Sequence, residues 1–196
     1  IDIKENDESK NLSIICLRDV NIEMKKIIPL IIVKQLYENK KESDKKSLHI
    51  IIDEAHNILS TMSQRESETW KDYRLETFEE IIKEGRKFGV FLTIASQRPY
   101  DISATIISQL HNYFIHRLIN DNDINAVEKA VAYLDKLSFQ SIPILSVGSC
   151  FVAGLASDIP VKVDIDLLEK EKRPNSGTVD LEDAWVNGSI QSNGKP

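Results

Sequence analysis

An α/β fold, with a mostly parallel sheet flanked by helices, is what this sequence predicts. Three observations predict it. Short apolar bursts rich in β-branched residues recur at 12–17, 48–52, 90–95, 113–118, 150–153 and 161–165. These bursts are near-continuous rather than alternating, as expected of strands buried on both faces of a parallel sheet. Helical patterns lie between them, and strands alternating with helices give βαβ units.

The elements follow in order. Residues 1–11 form a polar lead-in, and 12–17 the first strand. Over 22–38, Ile22, Ile28, Ile31, Ile32, Leu36 and Tyr37 outline a helix in which Pro29 marks a kink or a first turn. The segment 39–46 (NKKESDKK) is a charged turn whose lysines, Lys40, Lys41, Lys45 and Lys46, are read as solvated. The second strand, 48–52, is followed by a long polar insertion at 60–74. Leu75, Phe78, Ile81, Ile82 and Phe88 then share one face of a helix over 75–88, with charges opposite. Ile102, Ile106, Ile107 and Leu110 make a third helical stripe, and Ile124, Val127, Val131 and Leu134 a fourth. Beyond Lys172 only Val179, Leu181, Trp185 and Val186 offer anything to bury, so 167–196 reads as a flexible tail or a docking extension.

Composition narrows the function classes. The chain has 196 residues, 41% of them hydrophobic and 29% charged, a soluble globular balance rather than a disordered or membrane one. Its longest apolar run, 27–33, falls far short of the ~20 residues of a membrane span. The opening is polar, without the pattern of a signal peptide. Cys16 and Cys150 lie far apart in apolar stretches and read as buried thiols of a reducing, cytoplasmic compartment. The chain starts at Ile1 rather than Met, so a preceding segment is expected to have been removed. A net charge of −6 argues against a free-standing nucleic-acid binder. His49, His56, His111 and His116 lack partners at ligand spacing, and Ser103, Ser108 and Cys150 have no triad context. Among the histidines, His56 is expected to cap or couple the strand end.

The strongest chemical signal is Leu48-His49-Ile50-Ile51-Ile52-Asp53-Glu54-Ala55-His56, a buried strand ending in two acids. In a parallel sheet, ligands bind outside the carboxyl ends of the strands. One of two adjacent carboxylates leaving that edge can hold Mg²⁺ through its water shell. The other can polarise a water for attack on a phosphoryl group. The next strand also ends in polar residues, Ser96-Gln97-Arg98-Pro99, which places Gln97 on the same rim, where an amide can orient a water or sense a γ-phosphate. Arg86, in Glu84-Gly85-Arg86-Lys87-Phe88-Gly89, stands before that strand, roughly 15–20 Å from the rim at ~3.3 Å per strand residue. It fits either a cationic helix end or a guanidinium offered to a neighbouring subunit. The chain holds seven glycines, none of which builds the loop G-x-x-x-x-G-K-[ST] that cradles phosphates. Gly188 to Pro196 imitates it with the wrong spacing.

These residues resemble a known family. LHIIIDEAHNIL, followed by FEEIIKEGRKFGVFLTIASQRPYDISATIISQLHNYFIHRLINDNDINAVEKAV, is similar to the carboxyl-terminal half of the motor domain in HerA-type ATPases of the HerA/FtsK superfamily, over roughly residues 12–165. The resemblance implies a RecA-like P-loop NTPase core whose Walker A half is missing, ending near residue 166. It implies that Asp53 and Glu54 are the Walker B pair, with Asp53 on Mg through water and Glu54 activating the attacking water. Gln97 becomes the polar sensor and Arg86 the arginine finger that acts in trans. Arg98 and Arg117, the latter in His116-Arg117-Leu118, join Asp53 as nucleotide-binding candidates. Residues 144–165 look like the closing strands that lead to the family's carboxyl-terminal brace. ATP and Mg are the implied cofactors. The implied partners are further copies in a ring, expected to be a hexamer, double-stranded DNA in its central pore, and a nuclease or other effector subunit; no membrane is involved. The implied function is DNA translocation or unwinding in end processing or anti-phage defence. The alternatives are an assembly module that forms a ring and docks an effector, or a packaging or conjugation motor of the same superfamily. Lacking Walker A, the fragment alone is expected to be inactive.

Overall fold

The computed structural model describes residues 2–3, 12–42, 47–62, 66–131 and 134–173. The expectations for 4–11, for Lys45 and Lys46, for the tail residues Val179 to Val186 and for 188–196 lie outside them. The chain divides into a larger unit, Ile1–Asp164, and a smaller one, Ile165–Pro196. In the smaller unit a single turn, Lys170–Lys172, is bordered by the ion pair Lys172–Glu169 at 2.8 Å.

The larger unit opens with β1 (Asp2–Ile3), paired antiparallel to β2 (Ile15–Cys16). Both residues of β2 are exposed, so Cys16 is not the buried thiol expected from its apolar neighbours. Among the described residues the only strand partner of β2 is the two-residue β1. Cys150 is buried as expected. Helix α1 (Ile22–Lys41) is started by Asn21, whose side chain accepts the Met24 N–H at 2.8 Å. Glu23 in its first turn and Lys40 and Lys41 in its last complement the helix dipole. The helix runs on through Pro29, which is neither its first turn nor its end. The missing N–H leaves the Lys25 carbonyl without its helical donor, a cost offset by burial of the proline ring.

Next come β3 (Leu48–Ile52), the short α2 (His56–Leu59) and α3 (Glu68–Glu84). Helix α3 begins seven residues before its apolar stripe does, so half of the 60–74 stretch is helical. A 3-10 turn, Gly85–Phe88, leads into β4 (Val90–Ile94). Strands β3 and β4 pair in parallel, Leu48 opposite Val90 and Ile52 opposite Ile94. After them come α4 (Ala104–Gln109), β5 (Asn112–Ile115), α5 (Asp121–Ala130), α6 (Lys136–Ser141), β6 (Ser149–Gly154) and β7 (Val161–Asp164). Strands β5, β6 and β7 form an antiparallel meander, where the apolar bursts had suggested parallel strands. A near-continuous apolar run reports burial and carries no information about strand direction. The architecture is mixed α/β, with its parallel pair carrying the two polar strand ends.

Two cores hold the larger unit. In the first, Leu30, Val33 and Tyr37 of α1, Ile58 and Leu59 of α2, Phe78 and Ile81 of α3 and Ile106 of α4 pack with Ile52 and Val90. Each such side chain contributes about 1.5–3 kcal/mol on leaving water. The second gathers Ile115, Val127, Phe139, Ile142, Phe151 and Ala153. On β3 and β4 only one face is covered by the described residues. Leu48, Ile50, Leu92 and Ile94 pack on the first core, while Ile51 stays 72% exposed and Phe91 stacks on His49 at 5.0 Å between ring centres. The expectation of strands buried on both faces therefore does not hold among these residues, because α1 and α3 lie on one side. No helix among the described residues is long and apolar enough to cross a membrane.

The turn that presents Arg86 depends on a close approach. A Cβ on Gly85 would sit 2.8 Å from the Val90 carbonyl oxygen, a backbone atom that cannot swing aside. Gly89 then ends the turn at φ 67°. Gly85→Ala is expected to cost about 1–3 kcal/mol through overpacking. Urea unfolding should show a lower midpoint with an unchanged slope.

Candidate functional site

The parallel register brings two strand ends to one rim. The ladder continues past both strands, with Ala95 N donating to Ile52 O at 2.9 Å and Ala55 N to Ala95 O at 2.8 Å. Asp53 and Glu54 therefore leave β3 directly beside Ser96 and Gln97 leaving β4. Glu54 turns the chain at φ 48°, the one positive φ outside glycine among the described residues. That conformation costs a non-glycine residue about 1–3 kcal/mol and is found where structure serves function. The Asp53 carboxylate, Oδ1, accepts the Glu54 N–H at 2.9 Å and helps hold the bend.

The Glu54 carboxylate is engaged from two sides. Gln97 Nε2 donates to Glu54 Oε1 at 3.1 Å. Oε2 is shielded from solvent and lies 3.3 Å from His56 Nδ1. Asp53, by contrast, is exposed. Carboxylate oxygens are the hard donors Mg²⁺ prefers, and the described residues hold no cluster of three protein ligands. The donor set thus fits a metal held by one carboxylate through water and phosphate, and does not fit an all-protein cage.

Of the expected site residues, the structure brings together Asp53, Glu54 and Gln97. The arginines lie elsewhere: among the described residues, no hydrogen bond or ion pair joins Arg86, Arg98 or Arg117 to the acid pair. Arg86 is exposed in the turn before β4, a strand's length (~13 Å for four steps) from the rim. Arg117 is exposed just after β5, where His116 Nδ1 lies 3.1 Å from Ser149 O and ties the segment to β6. Arg98 lines a cleft of about 730 Å³ with His56, Ser60, Lys26 and Trp70. It also borders a smaller one of about 330 Å³ with Asp101, Asn120 and Asp123. Neither cleft is lined by Asp53, Glu54 or Gln97, which stand at the open rim.

The sequence reading passed over Arg74, counted within the polar insertion. Its side chain is fully buried. It donates to the carbonyls of Ile58 and Ser60, the latter at 3.1 Å, and forks onto Glu66 at 3.0 Å and 2.8 Å. Lys26 of α1 reaches the same carboxylate at 3.2 Å. Burial pushes the Glu66 pKa up, but hydrogen bonds and charge from Arg74 and then Lys26 outweigh it and hold the carboxyl below its usual range. The triad ties α1 and α3 to the end of α2. A signal was present in the sequence only as isolated charges.

No family model matches the chain. Among curated proteins, the DNA double-strand break repair helicase HerA of Saccharolobus solfataricus is 31% identical over 136 residues, covering 69% of this chain and 26% of that protein. The HerA of Pyrococcus furiosus is 33% identical over 129 residues, covering 66% and 22%. Over this stretch the chain is similar to HerA helicases. It spans about a quarter of the length of the curated HerA relatives it matches. The fold agrees with that of P-loop NTPases of the HerA, FtsK and VirB4 kind. VirB4 of Thermoanaerobacter pseudethanolicus superposes with a TM-score of 0.63 at 11% identity, covering 80% of this chain and 41% of that one. The genome packaging NTPase B204 of Sulfolobus turreted icosahedral virus 2, in complex with AMPPCP, gives 0.55 at 15%, covering 77% and 65%. At such identities the likeness to these two is of fold alone.

Proposed function

We propose that this chain supplies the water-activating edge of a ring-forming, ATP-driven DNA translocase or helicase of HerA type, its phosphate-cradling half being provided by a separate segment. The observation that carries the reading is the Gln97 amide on the Glu54 carboxylate at 3.1 Å, across the ends of two parallel strands and beside Asp53. Kinship with HerA helicases supports DNA as the track.

Glu54 takes a proton from the attacking water, and Gln97 keeps its carboxylate aimed while sensing the γ-phosphate. Asp53 is the residue that would hold Mg²⁺ through a bound water, and the chemistry such an ion would supply there is neutralisation of charge on the phosphate oxygens. Arg98 and Arg117 contribute positive charge toward the nucleotide. Arg86, at the far end of β4, serves the site of the next subunit, because a side chain on that end cannot turn back to its own rim. The ring is a hexamer through whose pore double-stranded DNA passes, working with a nuclease or other effector in end processing or phage defence.

Mixing two inactive variants tests this. In the motor assembled with its phosphate-binding half, Arg86→Ala and Glu54→Gln are each expected to lose DNA-stimulated hydrolysis by about 100-fold or more while still binding nucleotide. Rings mixed from the two regain part of it, since some interfaces then pair an intact Glu54 with an intact Arg86. Mixed rings that form without regaining turnover make Arg86 structural.

A further inference from the structure

Hydrolysis as assigned above uses one oxygen of Glu54 and leaves the other without a role. Oε2 is closed off from solvent and accepts no hydrogen bond. A buried acceptor left so costs about 1–3 kcal/mol, more when charged. Its neighbour is His56 Nδ1 at 3.3 Å, on the first residue of α2. That same nitrogen lies 3.1 Å from the Ser96 hydroxyl, and Ser96 Oγ accepts the Arg98 N–H at 3.0 Å. The ring is thus anchored to the end of β4 with only 16% of its side chain exposed.

We infer that His56, anchored on Ser96, is a positioning residue that fixes the Glu54 carboxylate from its second oxygen while Gln97 fixes the first. The terminal torsion of a glutamate is broad, so one hydrogen bond leaves the carboxylate plane free to swing. A donor on each oxygen removes that freedom. A general base has to stand within about 2.6–3.2 Å of the proton it takes, and small displacements there cost rate steeply. Nδ1 faces two oxygens, and the hydrogen it carries is shared between Ser96 Oγ at 3.1 Å and Glu54 Oε2 at 3.3 Å; without that hydrogen Oε2 is released. The hydrogen on this nitrogen therefore sets whether Glu54 is clamped. The inference rests on the reading of Glu54 as the base, but the clamp itself can be seen without turnover.

Two measurements on the full-length motor test it. His56→Phe keeps a ring and removes Nδ1, whereas His56→Asn keeps a nitrogen donor close to the place of Nδ1. The phenylalanine variant is expected to lower kcat about 10-fold with the KM for ATP within about twofold, and the asparagine variant to recover most of that loss. Ser96→Ala lowers kcat less, and combined with His56→Phe it adds nothing, because the two act through one contact. A phenylalanine variant at wild-type rate, an asparagine variant as slow as it, or an additive double variant overturns the inference. The second readout is the imidazole nitrogen NMR spectrum of histidine-labelled protein without nucleotide, with His56 assigned by its loss in His56→Asn. Its Nδ1 resonance is expected to move in Glu54→Gln and again in Ser96→Ala. If it moves in neither, the clamp does not exist. If it moves in both while the wild-type protein hydrolyses no ATP, the clamp stands and the proposed function fails.

Discussion

Glu54→Gly and Glu54→Ala are expected to be equally dead and unequally stable. Both remove the carboxylate, so both lose the contacts to Gln97 and His56 and both lose hydrolysis by about 100-fold or more. They differ in the backbone. Alanine keeps a Cβ at φ 48°, where glycine has none to clash. The glycine variant should therefore exceed the alanine variant by about 1 kcal/mol in chemical unfolding. Glu54→Gln retains both the bend and the shape of the side chain, and it should unfold like the wild type while failing to turn over. A base that could sit on an unstrained residue would make the pair equally stable. That result would remove the strained bend from the account of the site.

Arg74→Ala is expected to be the most damaging single change to the fold. It strips a fully buried guanidinium from Glu66 and leaves that carboxylate, 7% exposed, with Lys26 alone. Breaking a buried pair by removing one partner costs about 3–5 kcal/mol. The carbonyls of Ile58 and Ser60 lose their donor at the same time. The same network sets a pH dependence. The Glu66 carboxyl has its pKa lowered in the folded chain, so its contribution is present above the ordinary glutamate value of 4.5 and is lost as pH falls below it through the folded value. Stability measured downward from pH 5 should fall in the wild type. In Arg74→Ala it should fall less steeply over the same range, the main cause of the lowered value having gone. An unchanged midpoint for Arg74→Ala at neutral pH would mean that the triad is dispensable.

What could be read in advance follows from where the information lies. Strands β3 and β4 announce themselves because β-branched residues crowd a short run, and their polar ends place Asp53, Glu54 and Gln97 on one edge once the pairing is parallel. That edge needs nothing but the order of residues along two adjacent strands. Arg74 could not be found that way. Its partner Glu66 sits in an irregular stretch and Lys26 on another helix, so the segment read only as a polar insertion, although Arg74 and Glu66 are paired inside. The antiparallel meander of β5, β6 and β7 escaped for a different reason: period and composition are the same for either strand direction. Pro29 was judged by its type and Cys16 by its apolar neighbours, whereas the burial of Pro29 within α1 and the exposure of both residues of β2 decided the outcome. His56 looked like a strand-end residue in the sequence, and only the fold shows it facing both Glu54 and Ser96.

The matched register of β3 and β4 has one more consequence, for how this segment can change. Ile52 stands opposite Ile94, and from that point the two strands reach Glu54 and Gln97 in two and three steps. Side chains alternate along a strand, so a single inserted or deleted residue in either one would turn its whole apolar row outward and swing the amide away from the carboxylate. Exchanges among isoleucine, leucine and valine leave that alignment alone. Within these two strands, variation in identity is tolerable and variation in length is not.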